Sequence, residues 1–292
     1  MKKKIIMASK YRKSEQLGSD LVALGILKKP VSEYENADIS NEEYSKVLIP
    51  YNDPTGKILL NNGCIEFEVV GVRHHTTTEH PDTITLMTKN IIRYAAFDAK
   101  ESNNQLAEYE GPGGTIRAER GNNRWSQSNI RQWLNSLGAA NSWFTKQHEY
   151  DEAPTSGNIL NKNNSNGNYT NAPGFLAGFS GDVLQHFTDV TNTTALCMFD
   201  EGTSETIIDK VFLPSYTEMG FGYNNGIAEG APLYKFANGG SILKNGANSY
   251  YFMRSPKYSY SSILWVVDDE PSAWFNDAYN GTIGIAPIIV IH

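Results

Sequence analysis

The heptapeptide YYFMRSP, residues 250–256, places an arginine among aromatic and apolar residues in the most strand-like stretch of the chain. Arg131 lies among aromatic residues in the same way, in the string RWSQSNIRQWLN. A guanidinium in such surroundings needs a carboxylate or several carbonyls, and Asp209 and Glu218 are the candidate partners. We favour a structural role for Arg131 and Arg254, with contact to a ligand as the alternative.

Residues that could support catalysis or metal binding do not form a recognisable pattern. The strings GxSxG, HExxH and the P-loop do not occur, and no acidic pair has a spacing that indicates glycoside hydrolysis. His74 and His75 are adjacent, so in a strand they would point to opposite faces and could not share an ion. Cys64 and Cys197 lack a CxxC context and are expected to be small core residues. We therefore expect no enzyme, no cofactor and no metal.

The composition is that of a globular protein. The chain has 292 residues, of which 40% are hydrophobic and 11% aromatic, enough for one large domain or two ordinary ones. The 25 Lys and Arg residues against 32 Asp and Glu residues give a net charge of -7, which argues against binding to nucleic acid or anionic membranes. The apolar run in MKKKIIMASKY is too short for a signal peptide, and we expect synthesis without secretion or membrane insertion.

Residues 1–60 differ from the rest of the chain in their lysine content and helical pattern. Four leucines at spacings of three or four residues predict a short amphipathic helix that ends before Pro30. The turn cluster IPYNDPTG, residues 49–56, predicts a boundary near residue 60. This segment is interpreted either as a helix that caps the main domain or as an arm that docks onto another subunit. The four leucines are Leu17, Leu21, Leu24 and Leu27.

From residue 58 onward, short strands predominate. CIEFEVVGVRHH and TITLMTKNIIRYAAF predict two antiparallel strands, and DKVFLPSYTEMG predicts a short buried strand that ends at Pro214. The segments YYFMRS, SILWVVDD, SAWFND and IGIAPIIVIH predict a final run of strands.

Two helices are predicted between the strands. One covers residues 124–137, with Ser126 or Ser128 as N-cap, and the other lies in FLAGFSGDVLQHF with Phe179, Val183, Leu184 and Phe187 on one face. Residues 154–174, rich in Asn and Gly, predict a long surface loop. The fold class expected is therefore α+β, with short antiparallel strands, two main helices and long loops over residues 61–292.

Four strings in order, RWSQSNIRQWLN, DKVFLPSYTEMG, YYFMRSP and GIAPIIVI, resemble an uncharacterised domain family that is common in phages, prophages and bacterial surface proteins. Phe252 replaces that family's usual Trp, and Ala286 stands where it usually carries Arg. The resemblance covers about residues 64–292 and implies a C-type-lectin-like domain, related in architecture to formylglycine-generating enzymes and to variable receptor-binding proteins of phages. The motif residues expected to be structural are Trp125, Arg131, Trp133, Asp209 and Arg254.

The same resemblance directs attention to loops in the last third of the chain, which form the outward ligand-binding face in receptor-binding proteins of this fold. Tyr and Trp offer large contact areas at low entropic cost, and Asn provides adaptable hydrogen bonds. The alternative is that Trp274 and Phe275 belong to the core and the tyrosines only cover the surface. The predicted ligand-binding residues are Tyr258, Tyr260, Trp274, Asn276, Tyr279 and Asn280.

The string DEPSAWFND, residues 269–277, resembles the calcium- and sugar-binding motifs of animal C-type lectins. Those motifs are normally separated by more sequence, and Ser272 replaces the usual Asn. We therefore do not expect a calcium site. If one existed, Glu270, Asn276 and Asp277 would supply its oxygen ligands.

The resemblance supplies a fold rather than a function. Our leading hypothesis, with which the absence of a secretion signal and the loop-rich domain are compatible, is a structural protein of a tailed bacteriophage or phage-like particle. Residues 1–60 would bind other virion proteins, and the lectin-like domain would be displayed in multiple copies for attachment to a bacterial surface glycan or protein. Two alternatives stay open: a capsid or baseplate decoration protein without receptor binding, and an enzyme that acts on cell-surface polymer.

Overall fold

Short strands and shorter helices make up the described chain. The computed structural model describes residues 20–106, 116–160, 168–242, 244, 250–268, 270 and 272–292. The strands in these ranges are β1 (Lys46–Pro50), β2 (Cys64–Val72), β3 (Ile84–Thr88), β4 (Arg93–Tyr94), β5 (Val190–Ala195), β6 (Ser204–Asp209), β7 (Val211–Phe212), β8 (Tyr251–Pro256), β9 (Ile263–Val267), β10 (Ala273–Asp277), β11 (Gly284–Ile285) and β12 (Ile288–Ile291).

One sheet has the order β1-β2-β3-β12-β7, and all its neighbouring strands are antiparallel. Every residue of β3 and β12 is buried, which explains their continuous apolar sequences. The predicted pairing of CIEFEVVGVRHH with the following apolar segment is confirmed, because β2 and β3 are antiparallel neighbours. All five strands of this sheet contribute buried residues to the hydrophobic core.

A second sheet has the order β10-β9-β8-β11-β4 and carries the surface of interest. β11 is parallel to β8, whereas the other neighbours are antiparallel. β8 is buried along its whole length, while every residue of β10, the strand at one end of the sheet order, is half-buried or exposed. β5 and β6 form a separate antiparallel pair.

The helices are shorter than predicted. Asn129–Leu134 is helical and Ser128 caps it, whereas Trp125–Gln127 forms a separate 3-10 turn because Ser128 has extended backbone angles. The second predicted helix is likewise divided at Phe179, which is extended. Besides residues 20–23, the α-helices of the described chain are Glu42–Ser45, Arg117–Arg120, Asn129–Leu134, Gly181–Leu184 and Tyr234–Ala237. The 3-10 helices are Val31–Glu33, Asn36–Ser40, Trp125–Gln127 and Phe175–Gly178.

The described part of the N-terminal segment packs into the main core. Residues 20–23 are helical, and the helix ends at Gly25, whose φ is +71° and whose N–H donates to the Val22 carbonyl. Leu21 and Leu27 are buried, whereas Leu24 is 48% exposed, so the predicted leucine stripe is only partly correct; Leu17 lies outside the described residues. Because β1 pairs with β2, the core continues across residue 60.

The predicted surface loop at residues 154–174 contributes a core side chain. Residues 161–167 lie outside the described part of the chain. Tyr169 is fully buried, stacks on Trp143 with ring centroids 5.4 Å apart, and donates its hydroxyl to the Ala96 carbonyl. The expectation of a surface loop is therefore wrong at Tyr169, because a single aromatic residue anchors this polar segment to the core.

The architecture is α+β, with mostly antiparallel sheets and few short helices. Within the described ranges, no helix has both the length and the apolar character required to cross a membrane.

Candidate ligand-binding surface

The turn between β8 and β9 is fixed to the interior by buried polar side chains. Asn123 Nδ2 donates to the Tyr260 carbonyl at 2.7 Å and to the Ile263 carbonyl at 2.9 Å. Arg117 Nε donates to the Ser261 carbonyl at 3.0 Å, and Asn123 and Arg117 are both buried. The turn therefore presents its outer side chains from a well-anchored backbone.

A row of aromatic rings lies beside this turn. Phe275 on β10 is directly opposite Trp265 on β9, and Trp274 stacks on Phe275 with centroids 5.0 Å apart. The ring centroid of Tyr216 is 4.9 Å from that of Trp265, and the ring centroid of Phe221 is 5.3 Å from that of Tyr216. We call the rings of Tyr216, Phe221, Tyr260, Trp265, Trp274 and Phe275, together with Lys257, the aromatic platform.

Lys257 lies at the centre of the aromatic platform. Its Nζ is 3.4 Å from the ring centroid of Phe275 and 5.3 Å from those of Tyr260 and Trp265. These distances are within the range of cation–π attraction. Burial lowers the pKa of Lys257 from its ordinary value. The arrangement thus combines flat apolar surfaces with one ammonium group.

The aromatic platform is accessible to solvent. Trp274 is 53% exposed and the neighbouring turn residue Tyr258 is 40% exposed, whereas Phe275 is half-buried. The alternative that Trp274 and Phe275 belong to the core is therefore wrong. The Trp265 indole N–H donates to Asn224 Oδ1 at 3.2 Å, so this polar atom has a partner within the protein.

The predicted amide residues have intramolecular partners. Asn276 Oδ1 accepts from Asn280 Nδ2 at 2.7 Å, and Asn280 Oδ1 accepts from the Thr282 hydroxyl at 2.8 Å. Tyr279 lies under Lys100, whose Nζ is 5.3 Å from the ring centroid. The structure therefore places Asn276 near the end of β10 and Tyr279 and Asn280 in the turn that follows it, whereas Tyr260 and Trp274 belong to the aromatic platform.

The three oxygen donors named for calcium have other surroundings. Arg120 Nη1 donates to both carboxylate oxygens of Asp277, at 3.0 and 3.1 Å, and Asn276 Oδ1 accepts from its neighbours. Glu270 also has an interaction partner. Across the described ranges, no group of three or more His, Cys, Asp or Glu residues is arranged to hold a metal ion.

Arg254 is buried in a network of its own. Its Nη1 and Nη2 donate to the two oxygens of Glu218 at 2.6 and 3.0 Å, and Nη1 also donates to the Leu213 carbonyl at 2.7 Å. Both side chains are 1% exposed. Burial alone would raise the pKa of Glu218, but Arg254 and His75 hold it well below its ordinary value. Arg254 and Glu218 thus form a buried ion pair that is almost completely shielded from solvent.

Three other motif residues, Trp125, Arg131 and Asp209, form a second, partly buried network. Arg131 Nε and the Trp125 indole N–H donate to the two oxygens of Asp209, at 2.7 and 2.9 Å. The Trp133 indole N–H donates to the Pro173 carbonyl at 2.8 Å. Burial raises the pKa of Asp209, although Arg131 opposes the shift. Asp209 for Arg131 and Glu218 for Arg254 are the carboxylates that the sequence had suggested.

Two grooves elsewhere on the described surface bring no reactive pair together. One, of about 510 Å³, lies beside Tyr51 and Phe179. The other, of about 250 Å³, is lined by Leu59 and Ile92 and contains Glu66, which already pairs with Lys46. Neither lining set contains two titratable groups suited to proton transfer.

Residues 82–292, well over half of the chain, match the family described as a domain of unknown function, DUF6273. The chain belongs to the DUF6273 family. The DUF6273 region begins just before β3 and contains the whole aromatic platform and both arginine networks, whereas β1 and β2 precede it. Neither among curated proteins nor among solved structures was a significant match to the chain found.

Sequence reasoning missed five members of the aromatic platform within the DUF6273 region. Trp265 and Phe275 lie in segments for which only strands were predicted. Aligning those two strands as neighbours would have predicted that the two aromatic residues face each other. Tyr216 and Phe221 follow β7 in an irregular loop, and the contact of Tyr216 with Trp265 on β9 has no local sequence signal. Lys257 was overlooked because a single lysine beside tyrosines is ordinary on a surface.

Proposed function

We propose that this chain is a binding protein whose aromatic platform contacts a carbohydrate on a bacterial surface. The observation that supports this most strongly is the exposed Trp274 ring, stacked on Phe275 at the open end of a row of aromatic side chains. Monomeric proteins rarely expose contiguous apolar surface without an interaction purpose. Rigid aromatic rings also lose little conformational entropy on binding.

The aromatic platform is an open surface, and its shape fits a sugar that stacks on it better than a small molecule that binds in an enclosed pocket. It is an open row of rings at the end of a sheet. The backbone of the turn between β8 and β9 is held by hydrogen bonds from Asn123 and Arg117. An open surface of this kind contacts one or two sugar rings by stacking and gains affinity when several copies bind together. We therefore propose a multimeric display, in which the N-terminal segment, residues 1–60, contacts an assembly through the surface that its packing against the core leaves exposed.

The proposed location is a tailed bacteriophage or phage-like particle, with the DUF6273 region as a C-type-lectin-like domain. Support for this location comes from the four sequence strings and their resemblance to phage and prophage proteins. Mass spectrometry of purified particles from the source strain tests it: the account predicts this chain among the particle proteins, and its absence from intact particles would contradict that part of the proposal.

The binding function is tested by adsorption to whole cells and isolated surface polysaccharides of Gram-positive and gut bacteria. Trp274→Ala is expected to weaken adsorption by about 30-fold or more, the effect of losing an aromatic hot spot of roughly 2 kcal/mol. Tyr234→Ala is the matched control, because Tyr234 is 38% exposed and lies outside the aromatic platform. Equal adsorption by Trp274→Ala and the native protein, at equal thermal stability, would contradict the proposal.

A further inference from the structure

The charge at the centre of the aromatic platform has surroundings unlike those of three carboxylate-paired arginines of this protein. Arg117, Arg124 and Arg254 each lie within 3.0 Å of a carboxylate oxygen. Lys257 has no ion-pair partner in the part of the chain that the structure describes. Its Nζ lies against the rings of Tyr260, Trp265 and Phe275. Within the described ranges, this half-buried ammonium group therefore lies among aromatic rings without a carboxylate partner.

The aromatic rings hold this ammonium group in place without neutralising it. Cation–π attraction is worth about 0.5–1 kcal/mol at exposed sites, less than the desolvation of a fully enclosed charge. An ammonium group has three N–H donors, and ring faces are weak acceptors. Lys257 consequently keeps hydrogen-bonding capacity for a ligand that covers the rings and thereby excludes water from the pair.

The position of Lys257 also restricts which ligands fit. Aromatic clusters without an internal cation bind quaternary ammonium groups. Here the Lys257 ammonium group occupies that position, so a cationic ligand would meet like-charge repulsion. A neutral sugar would stack on the rings but leave the ammonium group without a charged partner. An anionic group gains a charge-assisted hydrogen bond in a partly dehydrated setting.

We infer that the ligand of the aromatic platform is an acidic saccharide, whose carboxylate or phosphate group binds the Lys257 ammonium while its sugar ring stacks on the neighbouring aromatic side chains. This inference rests on the proposed carbohydrate-binding function and names the chemical class of the ligand. The shared chemistry is an anionic substituent on a sugar ring. Carboxylate and phosphate are distinguished by the experiment.

The test uses sugars that differ in charge but keep a similar ring. Galacturonate, its methyl ester and galactose 6-phosphate are titrated into the full-length protein, and the Trp265 indole N–H resonance is followed by NMR. Galacturonate or galactose 6-phosphate is expected to bind at least about tenfold more tightly than the methyl ester, the factor that corresponds to 1.4 kcal/mol. The stronger of the two anions identifies the substituent.

Substitutions of Lys257 assign the preference to this residue. Lys257→Met is expected to remove the difference between galacturonate and its methyl ester, whereas Lys257→Arg should keep it because the positive charge is retained. Lys57→Met, at an exposed lysine outside the aromatic platform, is the control and should behave like the native protein. Unchanged chemical shifts in amides of β3 and β12 show that each variant is folded.

Three outcomes would overturn the inference: equal affinity for the methyl ester, a preference for anions that survives in Lys257→Met, or no shift with any of the sugars. The whole-cell adsorption experiment with Trp274→Ala does not depend on ligand charge. Loss of adsorption in that variant together with equal binding of neutral and acidic sugars would therefore retain the proposed function and reject the acidic ligand. Unimpaired adsorption would reject the proposed function itself.

Discussion

Arg254 and Lys257 are three residues apart, and both are cations beside aromatic rings. They differ in burial and in whether a carboxylate pairs with them. The Arg254 guanidinium lies 5.5 Å from the Phe212 ring centroid and binds both oxygens of Glu218. The Lys257 ammonium lies 3.4 Å from the Phe275 ring centroid and has no carboxylate partner within the described ranges. Arg254 is 1% exposed, whereas Lys257 is only half-buried.

Because of this difference, we assign Arg254 to the stability of the fold and Lys257 to ligand recognition, although both lie in one short segment. A buried cation with a complete set of partners has no capacity left for a ligand, and removing it leaves its carboxylate buried alone. A partly exposed cation with only aromatic neighbours contributes little to folding but retains unused donors. Burial and pairing together, rather than residue type or the aromatic character of the sequence, therefore distinguish a structural cation from a candidate binding residue.

The largest effect is expected for Arg254→Met. Removing one partner of a buried ion pair costs about 3–5 kcal/mol, because Glu218 would remain ionised without its guanidinium partner. Denaturant unfolding measures this loss. Binding at the aromatic platform, expressed per folded molecule, should not change. Normal stability combined with lost ligand binding would assign Arg254 to the binding surface and reverse the comparison.

Asn123→Ala should have an intermediate effect on both properties. Asn123 is buried and donates two hydrogen bonds to the backbone of the turn that carries Lys257, so its loss should lower the free energy of unfolding by about 1–3 kcal/mol. The displaced turn should also weaken ligand binding. Asn238→Ala is the control, since Asn238 makes an exposed side-chain bond to the Tyr234 carbonyl. Unchanged binding in folded Asn123→Ala would show that the turn does not need this anchor.

Acid should destabilise the Arg254 region. Burial lowers the pKa of His74 to about 4, with a further contribution from His75, although Glu218 opposes the shift. Because the unfolded chain binds the proton more readily, stability present above pH 6.5 is lost as the pH falls from 6.5 towards 4. His74→Gln should therefore flatten the pH dependence of the unfolding midpoint in this window. An unchanged pH profile in His74→Gln would contradict this assignment.

The smallest stability effect is expected for Lys257→Met. The variant loses cation–π attraction of about 0.5–1 kcal/mol but places an apolar side chain against the same rings. We therefore expect the free energy of unfolding to change by less than about 1 kcal/mol, as measured by denaturant unfolding under the conditions used for Arg254→Met. A loss as large as that of Arg254→Met would show that Lys257 is a structural cation too.

The buried framework was largely predictable from the sequence. The segment DKVFLPSYTEMG indicated a short buried strand and IGIAPIIVIH a strand, and the structure has β7 and β12 there. Aromatic residues around Arg131 and Arg254 indicated cations that need carboxylates. β5 and β6 were missed, because VTNTTA and SETIID are too polar to resemble core strands, and burial alternates along β6. The predicted helices were too long because Ser128 and Phe179 adopt extended backbone angles that a periodic apolar pattern does not reveal.

The candidate binding surface was predictable only in part. Tyr260 and Trp274 were identified from residue type, but Asn276 Oδ1 accepts hydrogen bonds from Asn280 Nδ2 and from the Asp277 N–H, and these bonds depend on backbone geometry. The central place of Lys257 depends on three segments that meet only after folding: the turn after β8, strand β9 and strand β10. Contacts over such distances have no local sequence signature.

The most direct test of the account uses the five tryptophans as internal reporters. Their indole N–H resonances are assigned with single Trp→Phe variants, and the protein is titrated with a surface polysaccharide fragment to which it adsorbs. The account predicts that the resonances of Trp265 and Trp274 shift, while those of the buried Trp125, Trp133 and Trp143 stay in place. Shifts confined to the buried three, or no shift of Trp265 and Trp274 at saturation, would contradict it.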